Sequence, residues 1–246
     1  AGQDGAAVRA GAVSFALGPA LLFCPADRPD RFAKALERAD AVILDLEDAV
    51  APENRAAARE AVAASALDPE RVIVRVNECG TPDFDADLAA LRRTGYRTIM
   101  IPKADERLSA SDGFDVIALC ETAAGVVGAP ALATRVAALM WGAEDLVASL
   151  GGTSSRLADG TYRDVARVAR AQVLLAAGAA GIPAIDTVHL DIGDLDGLRA
   201  EADDAVASGF AATACIHPSH VEVIRAAYAP SAEQVAWARR VLDAAA

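Results

Sequence analysis

Short apolar runs recur along the chain, each followed by a polar loop and then by a stretch with helical spacing. The runs fall at 20–23, 41–46, 71–76, 97–101, 115–119, 136–141, 183–186 and 211–216. Most are apolar on successive residues and rich in Val, Ile and Leu, the pattern of a parallel strand buried on both faces. Between them, Phe32, Ala35, Leu36 and Ala39 follow i, i+3, i+4, i+7 spacing. Phe84, Leu88 and Leu91 share a face, as do Tyr162, Val165, Ala166, Ala169 and Val173, and later Leu195, Leu198, Ala202 and Val206. Two late helices read as opening with capping boxes, Ser219 with Glu222 and Ser231 with Gln234. The crossover at 102–113 is short and weakly patterned.

Strands alternating with helices in this way predict an α/β protein, a closed (β/α)8 TIM barrel of parallel strands with C-terminal helices. The competing architecture, an open doubly wound sheet, usually carries a Gly-rich phosphate loop after an early strand. Cys24-Pro25-Ala26-Asp27 stands there instead. Residues 1–18 read as a flexible N-terminal tail and 19–246 as one barrel domain. Arg9 and the apolar stretch 10–24 faintly resemble a secretory signal, but Gly18 and Pro19 interrupt it and 20–23 reads better as a first strand, so a cytoplasmic protein is expected. The chain starts without Met, so its ends read as trimmed. The polar loop 151–161 is long enough to serve as a lid or a ligand contact.

Composition narrows the function. The chain of 246 residues is 54% apolar, which excludes a disordered chain, and one barrel of this size accounts for its length. No apolar run approaches the roughly 20 residues that span a bilayer, so no membrane role is expected. A net charge of −12 argues against nucleic-acid binding, which needs a basic face, while leaving open a small anion held by a local Arg or a metal ion. Cys24, Cys79, Cys120 and Cys215 lack C-x-x-C spacing and read as reduced thiols.

In a barrel the C-terminal strand ends form the active face. Asp27 and Arg28 follow the first run; Asp45, Glu47 and Asp48 end the second; Arg75 and Asn77 end the third. Lys103, then Glu121 and Thr122, then Glu144 and Asp145, then Asp186, and finally His217 follow the others. Several carboxylates at one mouth repel and call for a cation. A hard divalent ion suits oxygen donors, and Mg2+ takes few carboxylates while keeping water and substrate oxygens. So little sulfur and nitrogen does not suit zinc. Each residue also has a structural reading: Asp45 as a buried paired acid, Arg75 as its counter-ion, Glu47 and Asp48 or Glu144 and Asp145 as helix caps, His217 as a hydrogen-bonding core residue.

The order and spacing of LFCPADRP (22–29), VILDLEDAV (42–50), VRVN (74–77), IPKA (101–104), ALCETAAG (118–125), MWGAEDL (140–146), LGGTSSR (150–156), AIDTVHLDI (184–192) and CIHPSH (215–220) resemble the citrate lyase beta-subunit branch of the HpcH/HpaI aldolases. The likeness is greatest to its stand-alone actinobacterial members, which lack acyl-carrier partner subunits. The resemblance implies a Mg2+-dependent (or Mn2+-dependent) carbon–carbon lyase, usually a homotrimer. It would cleave a 3-hydroxyacyl thioester of coenzyme A, of citryl, malyl, citramalyl or hydroxyglutaryl type, to an acyl-CoA such as acetyl-CoA and an oxo acid such as oxaloacetate. Glu121 and Asp145 match the metal carboxylates, and Arg75 the arginine clamping the oxo-acid carboxylate. Asp48 and Glu47 match acids lining the metal site; Arg75, Asp48 and Glu47 are expected in catalysis, and Arg75, Glu121 and Lys103 in substrate binding.

Three departures accompany the likeness. The catalytic Asp that the family draws from a C-terminal segment has no counterpart before Ala246. Ala212-Thr213 and His220 replace the Gly-Lys pair and the Gln that often flank the IHP motif. Asp48 stands where the free-oxo-acid aldolases of the wider group carry a catalytic His, which favours the thioester branch. The alternatives are a metal-dependent aldolase acting on free 2-oxo acids and a non-catalytic ligand-binding homologue.

Overall fold

The computed structural model describes residues 16–108 and 113–245. Residues 1–15, most of the expected tail and part of the signal-like stretch, lie outside the described residues, as do 109–112 of the weak crossover. Eight parallel strands close in sequence order: β1 (Ala20–Pro25), β2 (Ala41–Asp45), β3 (Val72–Arg75), β4 (Thr98–Ile101), β5 (Asp115–Cys120), β6 (Ala138–Trp141), β7 (Ala184–Asp186) and β8 (Ala212–Cys215). β8 returns to pair with β1 through Leu21 opposite Ala214. The expected (β/α)8 barrel is the fold observed, with strand bounds within two residues of those read from the apolar runs.

The helices are α1 (Phe32–Arg38), α2 (Arg55–Ala64), α3 (Pro82–Leu91), α4 (Ala123–Leu132), α5 (Ala143–Ser149), α6 (Asp164–Ala180), α7 (Leu195–Ser208), α8 (Ser219–Tyr228) and α9 (Ala232–Ala245). Between β4 and β5 the described residues form turns and no helix. The stripe expected on α6 is shifted: Ala166, Ala169, Val173 and Ala177 are buried, while Val165 faces solvent. On α7, likewise, Leu198, Ala202 and Ala205 are buried and Leu195 and Val206 are exposed.

The capping box at Ser231 forms, with the Ser231 amide donating to Gln234 Oε1 at 2.7 Å and the Gln234 amide donating to Ser231 Oγ at 3.1 Å. The one expected at Ser219 does not. Pro218 occupies the cap, so Ser219 is already helical; its hydroxyl pairs with His217 Nδ1, and Glu222 turns to Arg225.

Side chains alternate across each strand, and this divides the apolar core into two layers. Leu21, Ile43, Ile73, Met100, Ile117, Met140, Ile185 and Ala214 point into the barrel. Their neighbours Leu22, Leu44, Val74, Ile99, Ala118, Leu139 and Cys215 pack outward under the helices. Leu17, just before β1, packs against the interior layer. Among the described residues no helix is long and apolar enough to cross a membrane, and no disulfide forms.

Candidate active site

Counting by twos from the inward residues leads to the barrel mouth. Leu21 leads to Phe23 and Pro25, Ile43 to Asp45, Ile73 to Arg75, Leu119 to Glu121, Met140 to Gly142, Ile185 to Thr187 and Ala214 to Ile216. All of these line one cavity of about 410 Å³, together with Asp48, Glu144, Asp145 and the apolar side chains of Val188 and Leu190. The same count explains which polar residues stay away. Asp186 has outward parity: it accepts hydrogen bonds from Trp141 Nε1 and from Arg170 Nη2 at 2.8 Å, in the helix layer. His217 is exposed beside Ser219, and Arg28 pairs with Asp30 in solvent. Asn77 donates to Asp87 at 2.8 Å and to the Leu46 carbonyl at 3.1 Å, a wholly structural role. Thr122 caps α4.

Five carboxylates (Asp45, Asp48, Glu121, Glu144 and Asp145) face one guanidinium in the cavity wall. Arg75 donates from Nε to Asp45 Oδ1 at 2.7 Å and from Nη2 to Asp45 Oδ2 at 2.6 Å, and its guanidinium lies 5.0 Å from the centre of the Phe23 ring. Burial disfavours its charge, but the bonds and charge of Asp45, with Glu47 and Glu121 nearby, raise its pKa above the ordinary value. Asp45 also accepts the amides of Glu47 at 3.0 Å and Ala49 at 3.1 Å, so one buried carboxylate fixes both the arginine and the loop after β2. The structural readings of Asp45 and Arg75 hold, and both residues also line the cavity.

Glu47 and Lys103 pair with each other and do not line the cavity. Glu47 Oε2 sits 3.1 Å from Arg75 Nη1 but, without suitable geometry, has no hydrogen-bond partner. Burial raises the Glu47 pKa, against the pull of Arg75 and Lys103.

Glu121 directly follows β5 and Asp145 stands in the first turn of α5 after β6, so adjacent strands bring them to one wall. Among the described residues neither has an ion-pair partner. Glu121 accepts the Lys103 amide at 3.0 Å. Burial, then the charge of Asp145, pushes its carboxyl up to about 8. A buried acid beside a second acid is an incomplete electrostatic arrangement that a cation completes. Among the described residues no group of three or more His, Cys, Asp and Glu could hold a metal ion unaided. Two oxygen donors with room for water and ligand oxygens suit a Mg2+-like ion rather than one needing a full protein cage.

The loop expected as a lid or a ligand contact is tied down by side-chain and backbone hydrogen bonds. Ser155, which is buried, donates to Glu144 Oε1 at 2.6 Å; Arg156 pairs with Glu201 and donates to the Tyr162 hydroxyl at 2.7 Å. The Arg163 amide donates to the Ser155 carbonyl at 2.8 Å. Sequence reading also passed over the apolar wall of Phe23, Met140, Val188, Leu190 and Ile216, and Gly142; the alternation of inward residues is the signal that locates most of them.

The model of the HpcH/HpaI aldolase/citrate lyase family matches residues 20–113 and 104–218. A citrate lyase subunit beta-like protein of Mycobacterium tuberculosis is 57% identical over 233 residues, covering 93% of this chain and 85% of that protein. The crystal structure of protein CitE from M. tuberculosis in complex with magnesium, acetoacetate and coenzyme A superposes with a TM-score of 0.87 at 57% identity, covering 93% of this chain and 87% of that one. The M. tuberculosis citrate lyase beta subunit complexed with oxaloacetate and magnesium gives a TM-score of 0.86 at 56% identity, covering 87% of this chain and 98% of that one. With the barrel, the acidic mouth and its arginine in place, these matches show that the chain belongs to the HpcH/HpaI aldolase/citrate lyase family.

Proposed function

We propose that the protein is a Mg2+-dependent carbon–carbon lyase that cleaves a 3-hydroxyacyl-CoA to an acyl-CoA and an oxo acid. The observation that carries this reading is the meeting of Glu121 and Asp145, without ion-pair partners among the described residues, in a wall that also holds Arg75. The magnesium, oxo acids and coenzyme A bound by the M. tuberculosis proteins support the same site chemistry.

Glu121 and Asp145 would hold Mg2+, which when bound supplies a Lewis acid for the hydroxyl and carboxylate oxygens of the substrate. Arg75, already fixed by Asp45, offers its remaining N–H groups to the substrate carboxylate and sets the angle of the bond to be broken. Asp48 lines the cavity with a side chain 57% exposed and stands 3.8 Å from Arg75 Nη1; in this reading it accepts the hydroxyl proton as the bond opens and returns it to the enolate carbon, which completes the acyl-CoA. Glu47 pairs with Lys103 through one oxygen and stands 3.1 Å from Arg75 Nη1 with the other, so it helps Asp45 keep the guanidinium charged. Leu119, Met140, Val188, Leu190 and Ile216 supply an apolar wall that limits water near the enolate carbon.

The assembly we propose is a homotrimer. It would cover Val165, Val168 and Leu175 of α6, Val127 of α4, and Trp237, Val241 and Leu242 of α9, all exposed in the single chain. A cytoplasmic location fits four cysteines without a disulfide. Citryl, malyl, citramalyl and hydroxyglutaryl thioesters are the substrates to assay. Purified protein should cleave at least one of them with Mg2+ and stop on addition of EDTA. Release of free coenzyme A without an oxo acid, or turnover unaffected by EDTA, would overturn the reading.

A further inference from the structure

Glu121 carries a long side chain, yet the residue is only 3% exposed and its carboxylate is held by a hydrogen bond. What holds it is backbone. Lys103 has φ 49°, and among the described residues it is the one non-glycine with positive φ. In that left-handed conformation its amide points at Glu121 Oε1, 3.0 Å away. Its ammonium turns aside to Glu47. The turn carrying Lys103 is held from both sides. The Ala104 amide donates to the Leu119 carbonyl at 3.0 Å, and α4 comes so close that a Cβ on Gly125 would lie 2.3 Å from the Ala104 carbonyl oxygen. On the opposite side of the carboxylate, a Cβ on Gly142 would lie 2.9 Å from both Cβ and Oε2 of Glu121. The space that a side chain at 142 would fill is therefore the space that Glu121 uses.

We propose that Lys103 and Gly142 are positioning residues for the Glu121 carboxylate and act through the backbone, Lys103 by the amide its left-handed conformation aims and Gly142 by the side chain it lacks. Unfavourable backbone conformations persist where surrounding structure enforces them, and they gather at functional sites. The inference rests on the lyase reading, which makes Glu121 a metal carboxylate.

The test is a series at one position. Lys103→Gly, Lys103→Asn, Lys103→Met and Lys103→Val all remove the ammonium, but only Gly and Asn enter the left-handed region readily. Mg2+ affinity is measured by isothermal titration, with melting temperature in EDTA recorded beside it. Gly and Asn should bind Mg2+ within about 3-fold of the parent, and Val should weaken it by about 10-fold or more, with Met between. Gly142→Ala should weaken Mg2+ binding about 10-fold or more; if it does not fold, the Lys103 series decides.

Equal losses in all four Lys103 variants would assign the effect to the ammonium and overturn the proposal. Parent-like affinity in Lys103→Val or in folded Gly142→Ala would also overturn it. Glu121→Gln separates the two readings: parent-like Mg2+ binding there defeats the metal assignment itself. Loss of binding there, with parent-like Lys103→Val, defeats only the positioning role.

Discussion

Arg75 grips Asp45 through two parallel hydrogen bonds, at 2.7 and 2.6 Å, so a buried carboxylate fixes the orientation of the one guanidinium that lines the cavity among the described residues. Asp45→Asn keeps the shape but loses the charge and the fork. Breaking a buried pair on one side costs about 3–5 kcal/mol, and thermal or urea unfolding should show a loss of that order. Unchanged stability would mean that Arg75 finds another partner.

Arg75→Ala should lower kcat/KM by several kcal/mol of transition-state stabilisation, about 10²-fold or more, because the substrate carboxylate loses its clamp. Arg75→Lys should rescue little, since an ammonium cannot hold Asp45 and a carboxylate with a planar fork. Steady-state kinetics of both variants decide this.

Asp48→Asn should reduce kcat by about 10²-fold while leaving Mg2+ affinity near the parent value, as expected for loss of a general base. A parallel fall in Mg2+ affinity would instead place Asp48 among the cation's partners.

Glu121 gives a pH signature. Its folded-state pKa of about 8 lies above the ordinary carboxylate value of 4.5, so between those limits the folded chain binds more protons than the unfolded one. Metal-free stability should therefore fall as pH rises through this window and level off above it. Mg2+ should restore stability most at the upper end. Melting curves in EDTA across this range should flatten in Glu121→Gln; an unchanged slope would refute the assignment.

Asp186→Ala offers the contrasting case. It leaves Arg170 and the Trp141 N–H without their buried partner and should cost about 2–4 kcal/mol of stability. Because its carboxylate faces the helix layer, Mg2+ affinity should not change in the folded variant.

The apolar runs located all eight strands because parallel strands are buried on both faces and so leave continuous hydrophobic segments. They could not separate Asp186 from Asp45, since both stand at strand ends. Parity separates them: Asp45 follows inward Ile43 by two, whereas Asp186 follows inward Ile185 by one. Helix phases were less legible on α6 and α7, where Ala does most of the inward packing and larger side chains such as Val165 and Leu195 are left outside. The box at Ser219 failed for a local reason, a proline already at the cap. Lys103 read as a charge near the mouth; nothing in its identity announces a left-handed backbone or an ammonium spent on Glu47. Gly142 is invisible to any inventory of functional groups, because what matters there is an absent atom.

The bond from Ser155 to Glu144, with Arg156 anchored on Glu201, turns the longest polar loop at the mouth into masonry rather than a door. Any movement of that segment has to break the Ser155–Glu144 bond, so the loop and a carboxylate of the cavity wall are bound to shift together.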